Sequence, residues 1–175
     1  NGNQRISNET IKIYGKINVG KEISENEINK IINNLYSTDF FENIDINIVK
    51  GTLVINLKEY PWINQLIFSG EDKKSYVEEI KKLMQLKEKK SFIKSYLAKD
   101  IEIIKKLYSS LGYNSSVVEA RIKELENNKL DLMIEINRGE KTSISSISFL
   151  GNQKIKNKKL KDVIASEEYK FWKFL

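Results

Sequence analysis

The hexapeptide Gly2-Asn3-Gln4-Arg5-Ile6-Ser7 returns near the far end of the chain as Gly151-Asn152-Gln153-Lys154-Ile155-Lys156, and nine positions after each glycine stands an aliphatic residue, Ile11 and Leu160. Between them, Phe68-Ser69-Gly70 echoes Phe149-Leu150-Gly151, each after an alternating apolar stretch: Ile63, Leu66, Phe68 and Ile144, Ile147, Phe149. Leu35-Tyr36-Ser37 and Leu107-Tyr108-Ser109 mark a second pair of matching places, each closing a helical pattern. A period of this kind limits the chain to architectures built from one small repeated unit.

Each unit reads as strand, helix, helix, strand, strand. In the first copy Ile28, Ile31, Ile32 and Leu35 fall on one helix face, and Ser24-Glu25-Asn26-Glu27 has the form of a capping box. In the second copy Leu97, Ile101, Ile104 and Tyr108 form the same stripe, Ser91 aligns with the Ser24 cap, and Gly112 supplies a left-handed helix end. Lys87 stands where the first copy has Gly20, so that interhelix loop is expected to differ.

Ile44, Ile46 and Ile48 alternate with Asp45 and Asn47, turn at Lys50-Gly51 and continue as Leu53, Ile55 and Leu57. That is a hairpin with one apolar face. Val118, Ala120 and Ile122 repeat it across Glu126-Asn127-Asn128 with Leu130, Leu132, Ile134 and Ile136. Two helices laid on the apolar face of such a sheet bury both stripes, the two-layer α+β solution.

Pro61 is the only proline, and it stands between Glu59-Tyr60 and Trp62, where it stiffens the passage from one unit to the next. Arg138-Gly139-Glu140 occupies the equivalent place after the second unit. The expected division is therefore 1–61, a unit lacking its first strand; 62–142, a whole unit; and 143–175, the first strand and first helix of a third. Tyr60, Pro61, Trp62, Arg138 and Gly139 are the expected interdomain hinge, short enough to restrict the modules while leaving them articulated, with Trp62 and Tyr60 completing a local core or packing between them.

With neither cysteine nor histidine, the chain lacks a thiolate site, the commonest general base and the commonest metal ligand. Ser91-Phe92-Ile93-Lys94 fits S-x-x-K, but the capping reading already accounts for Ser91. Glu78-Glu79 and Glu167-Glu168 have no spaced partners, and Gly139-Glu140-Lys141-Thr142 lacks a Walker core. No enzymatic activity, metal or cofactor is expected. No apolar run is long enough to span a bilayer as a helix. The net charge of +6 resides mainly in residues 143–175, which carry 7 basic and 3 acidic side chains. A rival reading as a small basic RNA-binding α+β module would use Tyr60, Trp62 and Tyr113 for stacking, but residues 1–61 are not basic.

The pattern Ile-x-x-Ile-x-Phe-x-Gly-Asn-x-x-Ile at 144–155, the Leu-Tyr segments leading into hairpins and Glu59-Tyr60-Pro61 before the next strand resemble the POTRA family. Lys170-Phe171-Trp172-Lys173-Phe174-Leu175 is similar to an aromatic stretch of its BamA-type members. The resemblance implies tandem β-α-α-β-β modules, each a three-stranded mixed sheet covered on one face by two antiparallel helices, at the periplasmic face of the bacterial outer membrane. It implies as partners unfolded outer-membrane protein precursors, accessory assembly lipoproteins and the protein's own C-terminal membrane β-barrel, with no nucleic acid.

By the same resemblance the second strand of each sheet lies at an edge, open to strand addition. The candidate partner-binding residues are Ile44, Asp45, Ile46, Asn47, Ile48 and Val49 in the first unit, and Val117, Val118, Glu119, Ala120, Arg121, Ile122 and Lys123 in the second. An alternative reading has Asp45, Asn47, Glu119, Arg121 and Lys123 protecting these edges against pairing. The sequence leaves the two open.

Overall fold

The computed structural model describes residues 1–18, 20, 23–151 and 155–164. The elements run α1 (Asn8–Gly15), α2 (Glu25–Tyr36), β1 (Phe41–Val49), β2 (Thr52–Glu59), β3 (Trp62–Ser69), α3 (Lys74–Leu83), α4 (Lys94–Ser110), β4 (Val117–Leu125), β5 (Lys129–Asn137) and α5 (Asn157–Lys161). They form an α+β architecture with two sheets, a β1-β2 hairpin and a mixed three-stranded sheet in the order β3-β5-β4.

Local side-chain chemistry starts the first two helices, the second at the expected capping box. Ser7 caps α1 by accepting from the Thr10 N–H. Ser24 and Glu27 close the capping box of α2, each accepting from the other's backbone N–H. In the first hairpin Ile44 faces Leu57, Ile46 faces Ile55 and Ile48 faces Leu53. Lys50 (φ 50°) and Gly51 (φ 76°) are both left-handed, the geometry that suits a two-residue turn between right-twisting strands.

In the second sheet β4 runs antiparallel to β5, and β3 runs parallel to it. A parallel strand needs a long crossover, here supplied by α3 and α4. Ile11, Ile31, Leu35, Phe41, Ile44 and Leu57 make one core. A larger one gathers Ile63, Ile80, Ile104, Tyr108, Leu132, Ile134 and Ile136. Inside it the fully buried Asp100 accepts the Gln85 and Leu86 N–H groups at 2.7 and 2.9 Å, satisfying backbone donors just past the end of α3.

The repeat is visible in one steric device used twice. Gly2 (φ 84°) passes so close to Leu57 that an added Cβ would lie 2.2 Å from its carbonyl oxygen, and Gly70 (φ 81°) would place one 2.0 Å from that of Ile136. Only glycine fits either place. Asn1 lies along β2 as β3 lies along β5: its amino group donates to Ile55 O at 2.8 Å, and its carbonyl accepts the Leu57 N–H at 2.9 Å.

Three expectations need correction. Ser91 is not a helix cap: α4 is preceded by Ile93, with no side-chain cap. Tertiary pairing claims Ser91, because residues 88–92 line the outer edge of β3. There the Ile63 N–H donates to Lys90 O, Lys89 N–H to Ile63 O and Phe92 N–H to Pro61 O, and Ser91 bridges Trp62.

The Leu-Tyr-Ser alignment is out of phase by one, since Leu35 and Tyr108 are each fully buried while Tyr36 is 41% exposed. The loop between α3 and α4, where Lys87 stands in place of the first unit's Gly20 (φ 86°), has its left-handed residue at Lys89 (φ 59°). Lys87 extends its ammonium to the Lys81 and Lys82 carbonyls, orphan acceptors at the end of α3.

Finally, described residues 143–151 form no strand, although α5 begins where the repeat places a helix. In the second unit the corresponding first strand, β3, is held by its pairing with β5. Lys170-Phe171-Trp172-Lys173-Phe174-Leu175 lies outside the described residues.

Candidate partner-binding site

Strand alternation shows which backbone groups each edge offers. The Ile136 carbonyl faces Gly70 on the β3 side of β5, so Val118 and Ile136 form a pair without mutual hydrogen bonds. Val118, and by alternation Ala120 and Ile122, therefore turn their N–H and C=O groups away from the sheet. Their side chains share the helix-covered face: Val118 is buried, Ala120 half-buried and Ile122 exposed.

The side chains of Val117, Glu119, Arg121 and Lys123 lie on the opposite face and are exposed, with Arg121 paired to Glu135 of β5 at 2.8 Å. The charges thus sit over the sheet, not across its rim. Residues 88–92 occupy the outer edge of β3 from Pro61 to Leu66, whereas among the described residues no main chain pairs along the outer edge of β4.

The β1 edge has the same phase, because the Leu57 N–H turns away from β1 toward Asn1. Ile44, Ile46 and Ile48 accordingly face outward. Here the first rung is occupied: the Ile44 N–H donates to Tyr36 Oη at 3.2 Å. Asp45 accepts from Asn47 at 2.7 Å and from Asn56 at 3.3 Å, while Ile48 and Val49 are exposed.

The expected hinge residues are held from both sides. Tyr60 N–H donates to Phe40 O at 2.9 Å, Trp62 N–H to Asn128 O at 2.9 Å, and Asn128 Nδ2 to the Glu59 carbonyl at 3.1 Å. The Arg5 guanidinium lies 4.0 Å from the centre of the Trp62 ring, so Trp62 packs between the two units. Burial there lowers the Arg5 pKa against the opposing pull of Glu59. Around these groups runs a cleft of about 1010 Å3 that includes Lys58, Tyr60 and Lys129.

Glu59 anchors the first unit's side of the junction. It is 5% exposed, and its Oε1 accepts the N–H groups of Gln4, Arg5 and Ile6 at 2.9, 3.1 and 2.9 Å. On another flank Tyr96 Oη donates to Asp39 at 3.0 Å, which raises the tyrosine's pKa.

At the far end of the second sheet Arg138 approaches Glu71 at 3.9 Å and lies over Tyr113, and Tyr108 Oη donates to Glu71 at 2.7 Å. Burial works to raise the Glu71 pKa, but the Tyr108 hydroxyl, the Lys73 N–H and the charges of Arg138 and Lys73 together bring it below the usual carboxylate range. Burial and that same contact push Tyr108 well above an ordinary tyrosine. Gly139 (φ 65°) starts the next linker, which Thr142 fastens by donating to Gly112 O at 2.8 Å.

Sequence reading missed Arg5, Asp39, Glu71, Tyr96 and Asn128 at these junctions. The one available signal was a charged residue two positions beyond the last core aliphatic of each unit, Glu59 after Leu57 and Arg138 after Ile136. The aromatics of the RNA-binding reading form no common platform: Trp62 carries Arg5, and Tyr113 packs edge-on to Tyr108 at 6.2 Å. Among the described residues, no group of three or more acidic, histidine or cysteine side chains could hold a metal ion, and no helix is long and apolar enough to cross a membrane.

The family model POTRA, described as a surface antigen variable number repeat, matches residues 61–139. These residues are a POTRA domain. The similarity extends beyond it: over 95% of its length the chain is 25% identical to the outer membrane protein assembly factor BamA of Neorickettsia risticii. Over 99% it is 27% identical to that of Neisseria meningitidis. The chain spans 22% of the length of each of these curated relatives.

Among solved structures, BamA POTRA3-5 of Haemophilus influenzae aligns over 95% of this chain and 74% of its own, with 15% identity and a TM-score of 0.44. The N-terminal domain of Omp85 from Thermosynechococcus elongatus aligns over 83% of this chain and 61% of its own, with 14% identity and a TM-score of 0.46.

Proposed function

We propose that this chain is a periplasmic part of an outer-membrane β-barrel assembly factor, divided as 1–61, 62–142 and 143–175, and that it binds and does not catalyse. Its ligands are unfolded outer-membrane protein precursors, which add as a strand to an open sheet edge. Accessory assembly lipoproteins and the protein's own membrane β-barrel are the further partners. The similarity to BamA along the chain supports the setting. One observation carries the mode of binding: the uncovered outer edge of β4, where Val118, Ala120 and Ile122 present main-chain groups beside an apolar face.

Strand addition draws affinity from the main chain and tolerates varied side chains, which suits a factor that meets many precursors. Tyr60, Pro61 and Trp62, with Arg138 and Gly139, set the relative orientation of the modules. A peptide of about ten residues with the alternating apolar and polar pattern of a membrane β-strand tests the reading by amide chemical shifts. The expected result is perturbation along Val117–Leu125, largest at Val118, Ala120 and Ile122. Shifts confined to the surfaces of α3 and α4 would remove strand addition as the mode.

A further inference from the structure

The two hairpins are equivalent in register, yet their outer edges differ at one place. Ile44 opposite Leu57 corresponds to Val118 opposite Ile136, the pair beside the close-approach glycine in each unit. At the first, the outward N–H is already bonded to Tyr36 Oη at 3.2 Å. At the second, the tyrosine that ends the corresponding helix has turned inward, with Tyr108 Oη 2.7 Å from Glu71. The shift of phase between Leu35-Tyr36 and Leu107-Tyr108 is the cause. It leaves Tyr36 at the surface, 41% exposed, and buries Tyr108.

We propose that Tyr36 is a gate on the β1 edge, its hydroxyl filling the first rung that an added strand would need, so that an extended partner is directed to β4. The proposal rests on the strand-addition reading and assigns the partner to one of two otherwise like edges. A strand approaching β1 must break the Tyr36 contact and displace the ring before it reaches Ile44, and the gain of one new rung is cancelled by the loss of the old one. At β4 the corresponding N–H carries no such contact, so the same rung is a net gain.

The test compares the chain with Tyr36→Phe, which keeps the ring and removes the hydroxyl, using amide exchange and the alternating peptide described above. Exchange at Ile44 is expected to quicken about fivefold in the variant, the factor set by one ordinary hydrogen bond. Peptide shifts are expected along Val117–Leu125 in both proteins and along Ile44–Ile48 only in the variant. Equal shifts on the two edges of the unaltered chain would overturn the gate while keeping strand addition.

An unchanged Ile44 exchange rate would overturn it also, by showing that the hydroxyl does not hold the rung. Shifts on neither edge of either protein would remove strand addition and the gating role together, and the exchange rate would still report whether Tyr36 caps β1.

Discussion

Glu59 offers a sharp quantitative check of how the first unit is held. Its Oε1 accepts the N–H groups of Gln4, Arg5 and Ile6, at 2.9, 3.1 and 2.9 Å, and Oε2 takes the Arg5 N–H as well at 3.3 Å, with Arg5 Nε 3.8 Å away. Glu59→Ala strands all three donors. An orphaned buried donor costs roughly 1–3 kcal/mol, and because Gln4 and Arg5 are exposed residues whose N–H groups water can reach once the carboxylate is gone, the lower figure applies.

The expected loss is about 3 kcal/mol for Ala. Glu59→Gln keeps one carbonyl oxygen at the point of convergence and gives up only the assistance of the charge, about 1 kcal/mol. Urea unfolding followed by circular dichroism, with residue-resolved amide exchange, reads both. Protection should fall at Leu57 and Ile44 and remain at Leu132 and Ile134, which belong to the other core. Equal losses for Ala and Gln, or a loss below about 1 kcal/mol for Ala, would refute the claim that the carboxylate organises residues 4–6.

Gly70→Ala should cost more than an ordinary glycine substitution. It adds a left-handed strain of about 1 kcal/mol to a Cβ placed 2.0 Å from the Ile136 carbonyl. A total of roughly 2–4 kcal/mol in urea unfolding is expected, with the β3–β5 pairing lost first in amide exchange. The pH dependence follows from Glu71 and Tyr108. The folded-state pKa of Glu71 is depressed, so its contribution is present above the ordinary carboxylate value, about 4.3, and is lost as pH falls through the depressed one. Tyr108 is raised, so its contribution holds below about pH 10 and fades as pH climbs toward the folded value. Thermal melts should show both slopes flattened in Glu71→Gln. An unchanged acid limb in that variant would count against the assignment.

What was legible in the sequence is what local chemistry decides. Ser24 and Glu27 lie three apart and form the box whatever the rest of the chain does. Lys50-Gly51 fixes the first hairpin's register because a two-residue turn leaves no slack. The failures are all tertiary. Ser91 looked like a cap, but the open side of a parallel edge strand has backbone groups to satisfy, and residues 88–92 satisfy them. The matching Leu-Tyr-Ser triplets hid a shift of phase, since letters can align while the longer α4 presents them a step further around its axis. Arg5 and Glu59 stand 54 residues apart, and Tyr96 and Asp39 stand 57 apart, so no short window could join them.

The two units answer one structural demand with opposite chemistry. Where the last strand ends, two residues past the aliphatic that faces the close-approach glycine, the first unit has an acid and the second a base. Glu59 can gather the backbone donors of residues 4–6 because the loop after Gly2 turns its N–H groups inward. The loop after Gly70 is shorter, reaching its helix at Lys74 where the other reaches Asn8, and it offers a carboxylate, Glu71, to Arg138. Tyr108, turned inward by the shift of phase, shares that Glu71 carboxylate. In the first unit the acid is on the strand itself, and the surface-facing Tyr36 accepts the Ile44 N–H with its hydroxyl. Repeat units of one fold thus acquire unlike edges: one step of helix phase sends one tyrosine hydroxyl to a buried carboxylate and leaves the other at the outer rung of an edge strand.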